Sequence, residues 1–251
     1  METTYLNRDL EIAIRTAKES GKLLLDNRNQ LNKNLESSSK DTKLLADVES
    51  ETLIKEILNN SSEYQILGEE SGKSDENLGN TFWVVDPLDG TANYNRGIPM
   101  CCVSIGLIQN MKPILGVIYD FDNDDLYVGD ISNSQSTRND ATIEVSDYIN
   151  KADGVLVTGL PHAMDYSDES LKNMIKDMQT WKKIRMIGSA AMAACYIASG
   201  KAEMYKENGV YLWDVAAGAA IVEAAGGKAE ILNIRENFQV DVVFTNSKII
   251  K

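Results

Sequence analysis

Residues Trp83-Val84-Val85-Asp86-Pro87-Leu88-Asp89-Gly90-Thr91-Ala92-Asn93 decide the fold, because an apolar run ends there in two carboxylates three residues apart, around a proline and ahead of a glycine. Phe82 to Val85 are aromatic or β-branched and read as a buried strand. Pro87 lacks an amide donor and is expected to turn the chain out of the sheet. That leaves Asp86 and Asp89 at the strand's carboxyl end, where open α/β sheets place ligands. Gly90 permits a tight turn, and Thr91 is expected to cap a short helix whose free amides favour an anion. Asp-Pro and Asp-Gly are also ordinary turn pairs, so the stretch by itself is compatible with plain turn chemistry.

Toward the amino terminus, Leu6, Leu10, Ala13, Ala17, Gly21 and Leu24 recur at helical spacing and predict an amphipathic helix over 6–27. Asn27 to Asp41 is polar and is expected to be an exposed, mobile loop. A second helix is expected from Leu45 to Leu58, with Val48, Ile54 and Leu58 inward. Asp47 lies in its first turn, where the helix dipole favours an acid. Tyr64 to Leu67 reads as a strand running into Gly68-Glu69-Glu70-Ser71-Gly72, a second group of carboxylates past a strand end, which taken alone is a solvated acidic loop. Beyond the opening stretch, 100–109 and 114–119 read as an antiparallel pair, with Tyr127-Val128 adding an edge. The polar run 129–140 divides the chain into an α+β half (1–135) and an α/β half (136–251).

The second half alternates. Strands are expected at 154–158, 184–187, 202–205, 228–232 and 240–244. Helices are expected at 167–179, capped by Ser167, at 189–199 and at 213–225. Alternation in this half and hairpins in the first predict an α/β (α+β) fold with mixed sheets covered by helices. Asp214 opens the last helix, as an N-cap or as a carboxylate aimed beyond the helix end; nothing local separates the two.

The chain has 251 residues, 43% of them hydrophobic and 25% charged, with a net charge of −13. That is a globular composition, and the acidic balance argues against a nucleic-acid polymer or an anionic membrane surface as partner. An anionic substrate would need a bound dication to offset the field. Cys101, Cys102 and Cys195 show no paired spacing and read as free, buried thiols. With no signal pattern and no apolar run near the ~20 residues of a membrane span, a cytoplasmic location is expected.

Gly68-Glu69-Glu70-Ser71, the 83–93 stretch, and Trp213-Asp214 followed by Glu223-Ala224-Ala225-Gly226-Gly227 together resemble the inositol monophosphatase family of magnesium-dependent, lithium-sensitive phosphatases, over nearly the whole chain. The resemblance implies a layered αβαβα sandwich and a phosphomonoesterase acting on a small polyol or sugar phosphate. Other branches of the superfamily are fructose-1,6-bisphosphatases, histidinol phosphatases and 3′(2′),5′-bisphosphate nucleotidases. The last would need a base-stacking pocket that the sequence does not identify. A non-catalytic metabolite-binding regulator is the reading from another class. The resemblance further implies two or three Mg2+ ions held by Glu69, Asp86, the Leu88 carbonyl, Asp89 and Asp214. It implies catalytic roles for Glu69 and for Thr91 paired with Asp47, phosphate held at Gly90 and Thr91, and an alcohol group facing Gly188-Ser189-Ala190, Glu207 and Asp214. It also implies a homodimer. Hard dications take carboxylate and carbonyl oxygens, which suits the acidic set. Without cations the same acids repel one another and their pKa values rise.

Two departures stand out. Leu44 occupies the position of a family threonine in Asp41-Thr42-Lys43-Leu44-Leu45-Ala46-Asp47, and Asn93-Tyr94 follows the threonine where the nucleotide branch has a Lys-Glu pair. Glu207 also fits a Lys206-Glu207-Asn208-Gly209 turn. His162 is expected to be a surface or packing residue, and Met186, Met192 and Met204 core filler.

Overall fold

A computed structural model describes residues 2–37, 42–160 and 164–250. His162 lies outside them. After α1 (Glu2–Asp26) and the short α2 (Arg28–Leu31), a hairpin forms from β1 (Asn34–Ser37) and β2 (Thr42–Leu44), followed by α3 (Leu45–Ser61). The expected 27–41 loop is therefore largely structured. Arg28 explains the first part, because it pairs with Asp122 at 2.7 Å and lies 4.6 Å from the centre of the Tyr94 ring.

An eight-stranded sheet follows: β3 (Gln65–Gly68), β4 (Gly72–Lys73), β5 (Thr81–Asp89), then α4 (Thr91–Arg96), β6 (Cys102–Gln109), β7 (Lys112–Asp120), β8 (Asp125–Asp130), β9 (Gln135–Arg138) and β10 (Ala141–Thr142). Its order is β10-β9-β8-β7-β6-β5-β3-β4. Tyr127 and Val128 thus sit inside the sheet rather than at an edge. The polar run after Gly129 continues the same sheet to Thr142, its turns made by side chains: Asp130 accepts from the Ser132 amide at 2.9 Å, and Asn139 from the Leu126 amide at 2.8 Å. Pro87 does not end β5. The register with β6 slips between Asp86 and Asp89, and the bulge absorbs the missing donor.

The second sheet contains β11 (Val155–Thr158), β12 (Lys183–Arg185), β13 (Met204–Tyr211), β14 (Lys228–Leu232) and β15 (Gln239–Thr245), in the order β12-β11-β13-β15-β14. Helices α5 (Asp168–Met178), α6 (Ala190–Ala198) and α7 (Leu212–Ala224) complete the chain. Helices α1 and α3 cover one face of the large sheet, α6 and α7 fill the space between the sheets, and α5 packs outside the small one. This is the layered αβαβα order expected from the sequence. β13 is longer than expected, and Lys206 to Gly209 belong to that strand, with a register shift at Asn208, rather than to a turn. Met192 and Met204 are buried, whereas Met186 is 52% exposed because β12 ends one residue before it.

Close approach between α7 and the large sheet depends on a row of glycines. Gly106, Gly116 and Gly129 stand in register on β6, β7 and β8. A Cβ on Gly116 would lie 2.1 Å from the Ala217 carbonyl oxygen, and one on Gly129 would lie 2.4 Å from the Ile221 Cα. The row is a trough that seats α7, and with it Asp214.

Candidate active site

Three elements deliver carboxylates to one cleft: the end of β3, the bulge of β5 and the first turn of α7. Asp86 and Asp89 are 2% and 9% exposed. Asp86 Oδ1 accepts the Leu88 amide at 2.9 Å, which fixes the bulge. Asp89 Oδ2 accepts the Ser189 hydroxyl and the Ala191 amide, both at 2.6 Å, so the start of α6 orients this acid. The Gly90 and Ala190 amides also point to Asp89. Gly90 has φ +90° and a Cβ there would meet the Met100 carbonyl at 2.7 Å, so the tight turn requires glycine.

Asp214 does not take the N-cap position. It is the third residue of α7, and its Oδ2 accepts the Tyr211 amide at 2.8 Å as one arm of a capping box. Its charge also reaches the cleft, acting on Glu69, Asp86 and Glu207. The N-cap reading is therefore corrected to an N3 capping-box role, held alongside a charge that acts on the cleft. Glu69 as a residue is exposed, while its carboxyl hydrogen-bonds that of Asp86. Desolvation, then the neighbouring charges of Asp214 and Glu69 respectively, hold Glu69 and Asp86 well above the usual carboxylate range. Burial raises Asp89 to about 6 against the opposing bond from Ser189.

Thr91 is the first residue of α4, after Gly90 as N-cap, and does not cap the helix. Its hydroxyl stands 2.9 Å from Asp47 Oδ1 and 3.1 Å from the Leu88 carbonyl oxygen. Asp47 is 2% exposed and also accepts the Leu44 amide at 2.6 Å. Its carboxyl is raised to about 6 by burial, against those two hydrogen bonds. Leu44 is fully buried and serves through its backbone. Glu207, on β13, is raised to about 8 by desolvation and then by the charges of Asp214 and Asp89. Gly159 makes room for it, since a Cβ there would lie 2.4 Å from Glu207 Oε1.

The structure thus groups Glu69, Asp86, Leu88, Asp89, Asp214, Thr91, Asp47 and Glu207. It turns the Ser189-Ala190 segment toward Asp89, which accounts for the Ser189 hydroxyl and both following amides. Sequence reasoning missed three supports. Asn93 Nδ2 donates to the Ile187 carbonyl at 2.7 Å and to that of Met100 at 2.8 Å, tying α4 to the loop before α6. Ser50 donates to the Pro87 carbonyl at 2.8 Å. Lys43 pairs with Glu70, and Glu51 accepts the Glu70 amide at 2.8 Å, so the hairpin and α3 brace the loop that carries Glu69. Asn93, Glu70 and Lys43 stand in the stretches quoted above, but their partners are distant in sequence and only the fold brings them together.

Among the described residues no group of three or more His, Cys, Asp or Glu side chains is placed to hold a metal ion. The donor chemistry nevertheless fits a hard dication. Every candidate donor is an oxygen, and no ion pair among the described residues neutralises Glu69, Asp86 or Asp89. The three cysteines are buried and free, and burial pushes their thiols up, away from the reactive thiolate. No helix among the described residues is long and apolar enough to cross a membrane.

A layered αβαβα sandwich with buried acids at a strand bulge and a helix start defines a class of metal-dependent phosphatases, and comparison with known proteins agrees. The sequence profile of the Inositol monophosphatase family matches residues 6–248. The chain is 32% identical to Nus factor SuhB of Pasteurella multocida, covering 88% of this chain and 84% of that protein. It is 30% identical to inositol monophosphatase 1 of Bos taurus, covering 87% and 81%. The solved inositol monophosphatase of Anabaena superposes with a TM-score of 0.84 at 32% identity, over 97% of this chain and 92% of that one. The extragenic suppressor protein suhB of Bartonella henselae gives 0.82 at 29%, over 92% of each. The protein belongs to the inositol monophosphatase family.

Proposed function

We propose that the protein is a magnesium-dependent phosphomonoesterase that hydrolyses a small polyol or sugar phosphate. One observation carries the reading: four acids from three elements face one cleft beside a hydrogen-bonded Thr91-Asp47 pair. Glu69, Asp86, Asp89, Asp214 and the Leu88 carbonyl would hold two or three Mg2+ ions. When bound, such ions supply an acidified water and charge neutralisation at phosphorus.

The chain's own groups do the positioning. Ser189 and the Ala191 amide hold Asp89 in one orientation. Asp47 accepts the Thr91 proton, leaving the threonine oxygen to receive a hydrogen bond from the attacking water. Glu207 faces the alcohol of the substrate, whereas the Ser189-Ala190 segment is spent on Asp89 and reaches the substrate only through that carboxylate. No side chain in the cleft is an activated nucleophile, so direct displacement by water without a phosphoenzyme follows. A homodimer and a cytoplasmic location accompany this reading.

The test is phosphate release from inositol, sugar, histidinol and nucleotide esters, with magnesium titrated and lithium added. Magnesium-dependent, lithium-inhibited release from a polyol or sugar ester is expected. Magnesium binding without release from any ester would favour a binding role instead.

A further inference from the structure

The run Glu223-Ala224-Ala225-Gly226-Gly227 carries part of the family likeness, yet the acidic cleft makes no use of Glu223. This residue lies in the last turn of α7, where the negative end of the helix dipole disfavours an acid and no basic side chain of that turn offsets it. It forms no ion pair among the described residues, and neither does Lys112 at the start of β7.

Both charges line one cavity of about 390 Å3. Helix α7 sets Gly218 against Ala194 of α6, while a different stripe of the same helix, Leu212, Ala219 and Glu223, faces the cavity. The hairpin of β6 and β7 closes it from the large sheet, and β14 from the small one. Every lining residue except Lys112 and Glu223 is apolar. Ile108 and Leu212 are 1% and 2% exposed and form the floor, and Met111 is 52% exposed at the mouth. None of Glu69, Asp86, Asp89, Asp214 and Glu207 lines it, so it is separate from the acidic cleft.

That volume falls in the range of small-molecule sites and exceeds the ~150 Å3 that holds one benzene ring. The size and the apolar lining suit a body of two fused rings, and a thioether at the mouth packs favourably against an aromatic face. The carboxylate and the ammonium each call for a partner of opposite sign. An ammonium beside Glu223 would also complement the carboxyl end of α7, and a carboxylate would form a charge-assisted hydrogen bond with Lys112.

We propose that this cavity is a second, non-catalytic binding site for an amino acid with an aromatic side chain. Its ammonium pairs with Glu223, its carboxylate with Lys112, and its ring packs on Ile108, Leu212 and Ala219.

The test is calorimetric titration of the full chain with L-tryptophan, with tryptamine, which lacks the carboxylate, and with indole-3-propionate, which lacks the ammonium. The wild type is expected to bind L-tryptophan at least about tenfold more tightly than either analogue. Glu223→Gln should weaken L-tryptophan by about tenfold or more and leave indole-3-propionate unchanged; Lys112→Met should weaken L-tryptophan likewise and leave tryptamine unchanged. Both residues are exposed, so neither substitution disturbs the core. Glu11→Gln, at an exposed acid of α1, should leave all three affinities unchanged. No binding of L-tryptophan to the wild type, equal binding of the three compounds, or affinities untouched by Glu223→Gln and Lys112→Met would overturn the assignment. Phosphate release is not the readout, so either outcome is independent of the phosphatase reading.

Discussion

Substituting Gly116 by alanine tests the seating of α7 on the large sheet. The added methyl carbon would lie 2.1 Å from the Ala217 carbonyl oxygen and 2.7 Å from its carbonyl carbon. Carbon and carbonyl oxygen settle at about 3.3 Å or more, so helix and strand must part by roughly 1.2 Å. Both partners are backbone and no flexible side chain can yield, which places the cost toward the upper end of the ~1–3 kcal/mol typical of overpacking. For a chain of this size that corresponds to a melting temperature lower by about 6–12 °C. The displaced helix carries Asp214, and a shift of about 1 Å at a catalytic group reduces turnover by roughly 100-fold. Thermal unfolding and phosphate release, measured at a temperature where the variant is folded, give the two readouts. Gly106→Ala, whose Cβ would lie 3.0 Å from the Ala217 amide nitrogen, should fall between the variant and the wild type. A Gly116→Ala protein that melts within about 2 °C of the wild type would refute the trough as the seat of α7.

Ser189→Ala removes the 2.6 Å hydrogen bond to Asp89; magnesium titration of turnover is expected to show affinity about 10- to 100-fold weaker. Thr91→Ala removes the hydroxyl held by Asp47, and kcat should fall by about 100-fold or more with the magnesium requirement unchanged. Because no ion pair among the described residues neutralises Asp86 or Asp89, magnesium at ~100 times its Kd should stabilise the fold by about 2.7 kcal/mol in calorimetry, and an unchanged melting temperature would remove the metal assignment. Burial alone would raise Asp241, but hydrogen bonds from Asn233, Arg235 and the Gly209 amide hold it below the usual range. Its stabilisation is therefore present above the unfolded pKa and is lost as pH falls through the lower folded value. Asp241→Asn should flatten the acid limb of the melting-temperature profile below about pH 4.

The order of helices and strands was legible in the chain because apolar periodicity and turn residues are local signals. Residues 83–93 announced a strand delivering two acids, and the spaced motifs with Asp214 pointed to one phosphatase family. Other features were not legible. Pro87 reads as a strand breaker, yet a bulge keeps β5 paired through Asp89. The polar segment 27–41 reads as a loop, yet Arg28 within it has a half-buried partner ninety-four residues away. Asp214 offered two roles, and only the tertiary structure showed that one carboxylate caps α7 while its charge acts on the cleft. Composition, element types and the acidic motif residues were set by the sequence itself, since each depends on neighbours within a few positions. The glycine trough, the Ser189 bond to Asp89 and the cavity beside Glu223 were decided by tertiary structure alone. Each depends on atoms that chain topology brings within van der Waals or hydrogen-bond distance from elements dozens of residues apart.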